Sequence, residues 1–503
     1  MSNRTFSGFL SVVTGSFGGT LLGLIITPLL VRILGSGNYG DYAFLLSIFA
    51  IITTFAHAGI SAGIRKYIAE DRVETSWKDN VFGFYARLAV ALALIFGIML
   101  VLFAQFGRVE EWLGESFELY LILLAVLLLA NQLFYVSRYT LIGLHLERYS
   151  EPLVVLKKLL YGIFGLSLAY IGFDVAGVLV GQAIAFLFCA VIATWYLGNH
   201  IDLKAAFRAA PSDFSRRNLV SFNVFNTIFI FLTISLYNVD ILLLQPMVGS
   251  HETGIYKAAL VIAEFIWVVP LAIQTVFIHS SSELWSNQKH EAITRMASKS
   301  TRYTLLFTLL LVIGVAALSS DFVPLYFGSE FDVAVTPLLL LLPGVLGFAI
   351  ARPIFAIGQG KGELRLLIVA TGSAAVLNLL LNLLLIPRYG MAGAAVATSI
   401  GYGSMVVFHG LTARQIGYYP FADLRLGRIV VTAGIAAPVI FSLSYFLTNS
   451  LLSLLIVPPV GFAVYSVLAL RTRAVDQDEI LPLLEFVPSP FEEWSVELLH
   501  RIG

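Results

Sequence analysis

Charged residues are scarce in this chain. Asp, Glu, Lys and Arg make up 12% of its 503 residues and hydrophobic types 58%, against roughly 25% charged in a soluble domain. With mean hydropathy at +0.88, folding alone leaves too much apolar surface facing water, so the bilayer is the expected solvent. An excess of one sign is missing too: 31 basic and 31 acidic residues cancel, which removes the electrostatic footprint of a nucleic-acid partner. Cysteine occurs once, as Cys189 in an apolar run, and this excludes a disulfide framework or a thiolate metal site. Long outward loops are lacking. None exceeds about fifteen residues, too few for a separate folded domain.

Enzyme signatures are equally sparse. "GQGKGE" (358–363) has glycines and a lysine, but it lacks the phosphate-loop spacing and follows an apolar run rather than a strand. The carboxylates of "RVEEWLGESFE" (108–118) are explained by a solvated loop with less assumption than as a glycosidic acid and base pair. With no ATP-hydrolysing apparatus, metal cluster or cofactor motif, the chain reads as a non-enzyme. Its energy then comes from an ion gradient, the membrane potential or the substrate gradient.

What is present is a series of fourteen apolar runs, each near the ~20 residues that cross a bilayer as a helix. They lie at 8–31, 41–64, 81–106, 119–142, 153–171, 175–197, 219–244, 255–279, 303–319, 335–357, 364–387, 391–411, 428–447 and 450–470, and are numbered here as spans one to fourteen. The expected fold is therefore all-α and integral to the membrane, with about 14 transmembrane helices. The first run is too long for a signal-peptide core and heads a series of similar runs, so it is read as a span. If the amino terminus is cytoplasmic, Lys and Arg concentrate in the inward loops and span ends. Only Arg32, Arg108, Lys257 and Arg388 fall on the other side, and Arg87 lies within span three. That asymmetry supports an even number of spans, with both termini in the cytoplasm.

The chain also repeats itself. "GSGNYGDYA" (35–43) returns as "GSHETGIYK" (249–257), "GLHLERY" (143–149) as "GQGKGELR" (358–365), and "FDVAGVLVGQAIAF" (173–186) as "YGMAGAAVATSIGY" (389–402), at offsets of 214, about 215 and 216. Six spans separate each element from its copy. Six is even, so the halves are parallel repeats related by an axis along the membrane normal. The expected organisation is a six-span lobe (1–200), a cytoplasmic linker (201–218), a second six-span lobe (219–413), helices 13 and 14 (414–470) and an acidic cytoplasmic tail (471–503). In the linker, Leu203 and Phe207 opposite Lys204 and Arg208 suggest a short interfacial helix. In the tail, "SPFEEWSVELL" (489–499) opens with a capping box and sets Phe491, Trp494 and Leu498 on one face. Repeat bundles of this kind place a substrate site between the halves, so the symmetry points to transport.

Polar residues in the spans mark candidates, since a charge at mid-bilayer costs on the order of 2.5–3.5 kcal/mol and needs a partner or a wet cavity. Asp240 in span seven, Glu264 in span eight and His57 in span two are the candidates for a coupling proton or sodium ion. A packing role for Asp240, through an ion pair or a helix-end hydrogen bond, is the competing reading. Arg87, Arg138 and Arg352, with Arg32 and Lys257 nearer the outer face, are candidates for binding substrate phosphate. Snorkelling is their alternative. Asn131, Gln132, Gln182, Asn378 and Asn382 either line a sugar-binding cavity or bond between helices. The small-residue faces of "GSFGGTLLG" (15–23) and "GMAGAAVATSIGYG" (390–403) point to close helix packing. Pro28, Pro270, Pro343, Pro353 and Pro438 mark candidate kinks.

Four longer segments carry a resemblance: "VRILGSGNYGDYAF", "AGISAGIRKYIAE", "NVDILLLQPMVGSHETGIYKAA" and "GQGKGELRLLIVATGSAAVLNLLLNLLLIPRYGMAGAAVATSIGYG". Over spans one to twelve the chain resembles the prokaryotic polysaccharide-export flippases. That family belongs to the multidrug, oligosaccharidyl-lipid and polysaccharide exporter superfamily. The resemblance implies a V-shaped pair of six-helix lobes like that of the multidrug-and-toxin extruders. It also implies that polyprenyl- or dolichyl-linked, phosphate-bearing glycans move from the inner to the outer leaflet of the cytoplasmic membrane. Asp240 matches the family's acidic position in span seven, Arg32 and Asp41 match charged positions flanking the first outer loop, and a cationic cavity is implied for the phosphate. Expected partners are the lipid-linked glycan, membrane lipids, a coupling H+ or Na+, and a glycan polymerase or glycosyltransferase. The alternative function is ion-coupled export of amphipathic cations, in which acids rather than arginines dominate the cavity.

Overall fold

The computed structural model describes residues 3–57, 59–70, 72, 76–208 and 224–484, with side chains from Gly18 to Leu481. The tail motif at 489–499, residues 209–218 of the expected linker and the first residues (219–223) of the expected span seven lie outside the described residues. Every regular element among the described residues is helical. Ten helices are long and apolar enough to cross a membrane, and the bent pair Ser250–Phe265 and Val268–Ser286, turned by 53°, makes an eleventh. Three of the ten are far too long for one crossing: Gly18–Ala56 has 39 residues, Glu147–Leu197 has 51 and Leu364–Ile416 has 53. At 1.5 Å per residue, 53 residues would reach about 80 Å, more than twice the ~30 Å hydrocarbon core. Each is broken inside by a glycine with non-helical backbone, Gly35, Gly172 or Gly390. Each therefore supplies two spans, and the fourteen apolar runs of the sequence all find a helix.

The repeats recur in backbone conformation. Gly35 (φ 66°) and Gly249 (φ 105°), the first residues of the two motif copies, both sit in the left-handed region. Only glycine adopts that conformation freely, and it lets spans two and eight begin at once with no loop. At the third repeat Asp174 (φ 43°, ψ −129°) and Gly390 (φ 56°, ψ −135°) share one unusual conformation. A fourth match is visible only in the structure: Gly114 (φ 108°, ψ 161°) and Gly328 (φ 108°, ψ 160°), 214 residues apart, end matching turns. Phe117 and Phe331 follow three residues later, each 1% exposed.

The chain divides into two compact units, Met1–Lys257 with Asn382–Ala394, and Ala258–Leu381 with Ala395–Gly503. In the first, Gly181 lies on the backbone of Gly165, so spans five and six touch where a Cβ would not fit. Span one meets span five through its small-residue face: Gly18 opposes Val155 and Gly23 opposes Lys158. In the second, Gly344 packs on the backbone of Ser399, joining spans ten and twelve, and Gly401 abuts Asn378. Such close approach is how helices gain van der Waals contact in lipid, where no hydrophobic force draws them together. Spans nine, thirteen and fourteen share a core built on Leu306, Ile313, Ile429, Ile440, Val457 and Tyr465. Ile25, Ile95, Val191 and Leu384, at 59–70% exposed, give the spans the apolar outer surface that lipid requires.

Candidate functional site

Spans two and eight, equivalent under the repeat, are both interrupted. The helix of span two ends at Ala56 and resumes at Ile60, after Gly59 in the left-handed region (φ 73°). A break strands carbonyls that lipid cannot satisfy, and Gln132 from span four answers one, its Nε2 donating to the Ala56 carbonyl at 2.7 Å. Beside the break, His57 Nε2 and Asn131 Oδ1 lie 2.9 Å apart, and the His57 ring meets Tyr135 edge-on at 5.2 Å. Tyr135 stacks on Tyr139 at 5.6 Å. The Lys157 ammonium sits 4.4 Å from the ring centroid of Phe186 and 5.2 and 5.3 Å from those of Phe134 and Tyr135, a cation held against aromatic faces. The polar column continues to Arg138, whose Nη2 pairs with Glu151 Oε1 at 2.8 Å, and to Arg65, whose guanidinium covers the Tyr139 ring at 5.3 Å.

Lys158, the next residue, packs into the space left by Gly23 and lies 5.8 Å from the Tyr161 ring. Tyr161 in turn shares a 2.9 Å hydrogen bond with Tyr42, whose hydroxyl also donates to Gln182 at 3.5 Å. Both lysines are half-buried. Among the described residues neither forms an ion pair with a carboxylate. A partly desolvated ammonium in a membrane span without a counter-ion creates a strong local preference for an anion.

The break in span eight falls at Ile266 and Trp267, both 3% exposed. Trp267 Nε1 donates to the Val345 carbonyl at 2.9 Å. The Arg352 guanidinium lies over Trp267 (4.9 Å) and Phe348 (4.7 Å), and its Nη1 donates to Gln274 Oε1 at 3.0 Å. Asn131 and Val345, Phe134 and Phe348, and Arg138 and Arg352 are all 214 residues apart. Each unit thus sets residues of its fourth span beside the break in its second, Asn131, Gln132 and Tyr135 in one and Val345, Phe348 and Arg352 in the other. Glu264 is half-buried two residues before its break, as His57 flanks the other.

The remaining candidates are placed as follows. Asp240 is fully buried, and Tyr256, the repeated tyrosine, donates to its Oδ2 at 2.5 Å while the Ile241 amide donates to Oδ1 at 2.8 Å. Asp41 accepts from Gln245 Nε2 (2.7 Å) and Ser250 Oγ (2.5 Å), which places it on the second motif copy, where Ser36 Oγ also meets His251 Nδ1 at 2.6 Å. Arg32 is exposed and Lys257 half-buried. Arg87 turns to the backbone, donating to the carbonyls of Ala205 (2.7 Å), Ala206 (3.3 Å) and Arg208. It secures the short helix Leu203–Phe207 that the linker sequence suggested. These side chains thus form two repeat-related clusters and a polar column, while Arg87 turns to the backbone that follows span six.

A family model described as polysaccharide biosynthesis protein matches residues 6–285. The chain belongs to that family. It stands with the lipid-linked glycan exporters of the multidrug, oligosaccharidyl-lipid and polysaccharide exporter superfamily. Among curated relatives, a probable low-salt glycan biosynthesis flippase of Haloferax volcanii is 26% identical over 490 residues, covering 95% of this chain and 98% of that protein. A succinoglycan biosynthesis transport protein of Rhizobium meliloti is 24% identical, covering 92% and 91%. Among solved structures, the lipid II flippase MurJ in an inward closed conformation matches with a TM-score of 0.70 at 16% identity, covering 91% of this chain and 97% of that one. A multidrug resistance transporter of the same superfamily matches at 0.58, covering 79% and 94%. The fold of this exporter is therefore that of MurJ and the multidrug extruders.

Lys157 and Lys158 were not among the sequence candidates. Their signal was present, two lysines four residues inside an apolar run, but adjacency to a span end makes such a pair read as a flank. Tyr135 and Tyr139 carried no sequence signal, because aromatic residues populate every span. Asn131 and Gln132 bond between helices, as Asn378 does to Thr398 at 3.4 Å.

Proposed function

We propose that this exporter flips a lipid-linked, phosphate-bearing glycan from the inner to the outer leaflet of the cytoplasmic membrane, for surface polysaccharide or glycoprotein assembly. The observation that carries the reading is the Lys157–Lys158 pair, two half-buried cations without a carboxylate partner among the described residues. A phosphate or pyrophosphate supplies the missing anion, while the lipid tail stays in the bilayer and the sugars follow the polar column of Tyr135, Tyr139 and Tyr161. Arg138 and Arg352, at equivalent positions of the repeat, add cationic character, as do Arg32 and Lys257. The halves at 1–200 and 219–413 alternate access, with both termini in the cytoplasm. Discontinuous helices are where repeat-built transporters hold substrates and coupling ions, so His57 and Glu264 at the breaks, with Asp41 and Asp240, are the groups to carry a coupling H+ or Na+. Relatives named as a probable glycan biosynthesis flippase, a probable flippase and a lipid II flippase support this reading. A polymerase or glycosyltransferase is the partner class that would consume the product.

The test is mass spectrometry of lipid-linked glycans in a strain lacking the gene and any redundant flippase, beside an assay of its surface glycans. Accumulation of a completed lipid-linked glycan with loss of the surface product is expected, together with restoration by the wild-type gene and not by Lys157→Gln/Lys158→Gln. Unchanged pools would overturn the reading in favour of cation export.

A further inference from the structure

Six charged residues converge at one end of the second unit. Arg302, at the start of span nine, is 0% exposed although it carries a full charge. Its Nη2 donates to Glu479 Oε1 at 2.5 Å, on the helix Gln477–Leu484, and its Nη1 lies 3.1 Å from Asp423 Oδ2, in the connection before span thirteen. Lys299 Nζ reaches the same Glu479 oxygen at 3.2 Å. Arg425 pairs with Asp423 (3.0 Å) and Asp476 (2.7 Å). Together with Arg428 it also donates to the carbonyl of Arg473, at 3.0 and 2.9 Å. The segment following span fourteen is therefore tied down through charge.

Two physical facts make this tie conditional. A buried guanidinium is tolerated only while hydrogen-bonded carboxylates compensate it. A helix of eight residues has little stability of its own, so tertiary contacts must hold it. Burial pushes the Glu479 carboxyl up, but the hydrogen bonds from Arg302, the Asp476 amide and Lys299 outweigh it and bring it down to about 2; the carboxylate thus stays charged. From the same segment, Val475 and Ile480 line an apolar groove of about 210 Å³, together with Leu306, Phe307, Phe462 and Ser466 of spans nine and fourteen.

We propose that residues 473–484 are an ionic strap that closes one end of this groove and swings away as a unit when the Arg302–Glu479 pair is broken. The strap couples access to the groove to the integrity of the charge cluster, whatever substrate the exporter moves.

The experiment uses the full chain in lipid nanodiscs, with Cys189→Ser as background and Ser466→Cys as a reporter in the groove. The rate of modification by a water-soluble maleimide is the readout. Glu479→Gln should raise the rate about tenfold or more, the scale of losing a charge-assisted hydrogen bond. Arg425→Gln, at the more exposed rim, should raise it about two- to threefold, and 1 M salt should act in the same direction. A second reporter, Asn199→Cys, on the exposed turn after span six, should react at one rate throughout. Ser466→Cys rates equal to the parent in both charge variants would overturn the strap. Acceleration of Asn199→Cys alongside would also overturn it, by showing general loosening instead.

Discussion

Gly40 and Gly254, the same position in two copies of one motif, lie against each other with no room for a side chain on either. A Cβ on Gly40 would overlap the Ser250 carbonyl and come within 2.8 Å of the Gly254 nitrogen. One on Gly254 would overlap the Ser36 carbonyl and lie 3.0 Å from the Gly40 nitrogen. Ser36 and Ser250 are themselves equivalent, so the contact is reciprocal, as in a two-fold interface. The chain repeats this motif because the copies pack on each other, small residue to backbone. Gly40→Ala and Gly254→Ala should each lower stability by about 1–3 kcal/mol, the usual range for overpacking. Gly37→Ala, where nothing lies within 4 Å, should change it by less than about 0.5 kcal/mol. Denaturant titration of the purified protein separates the two, and equal effects would remove the contact from the explanation.

Lys157→Gln and Lys158→Gln should each weaken binding of a phosphate-bearing lipid-linked glycan about tenfold, the loss of one charge-assisted contact. Folding should be preserved, because neither lysine is paired with a carboxylate among the described residues. Arg138→Gln should instead destabilise the protein, because it leaves Glu151, 6% exposed, without its partner. Binding isotherms beside unfolding curves distinguish these outcomes.

Removing Gln132 tests the break in span two. Gln132→Leu leaves the Ala56 carbonyl unanswered and should cost about 1–3 kcal/mol. Hydrogen exchange around Thr53–His57 should accelerate in the same variant. Unchanged exchange there would mean that another donor serves the carbonyl.

Asp174 holds a positive φ that its repeat partner fills with glycine. Asp174→Gly should therefore stabilise the protein by up to about 1–2 kcal/mol, the strain of a side chain in that region. Gly390→Ala should destabilise it, since the new methyl would run into the Glu252 carboxylate, which also accepts from the Met391 amide at 2.9 Å. Paired melting curves in one detergent give both signs.

The strap has a defined pH window. Glu479 titrates at about 2 in place and from 4.5 when free, and Asp476 is also lowered, first by its hydrogen bond from Arg425. Because the folded-state values are depressed, the stabilisation is complete above the free values and is lost as pH falls through 4.5 toward 2. Release of the strap, followed as Ser466→Cys modification with an acid-tolerant thiol reagent, should rise over that window in the wild-type background. In Glu479→Gln the rise should be smaller.

How much could be read beforehand differs from element to element. Span boundaries near Gly35, Gly172 and Gly390 were legible as changes of apolar run, although the helices continue almost without loops. The breaks in spans two and eight were not, because neither contains a proline and the apolar run continues on both sides of each. His57 and Glu264 stood out because a titratable side chain in an apolar run is costly wherever it sits. Arg87 stood out equally, yet it secures a short helix 118 residues away.

The sequence by itself determined the membrane as solvent, the series of fourteen apolar runs and their duplication, because hydrophobic length and repetition are written along the chain. Tertiary structure alone decided which polar groups meet. Arg302 finds Glu479 177 residues away, Lys157 finds Phe186 on the next span, and the two motif glycines find each other. Such meetings depend on how helices turn their faces when they pack, and a one-residue rotation of about 100° would dissolve every one of them without altering a single hydrophobic run.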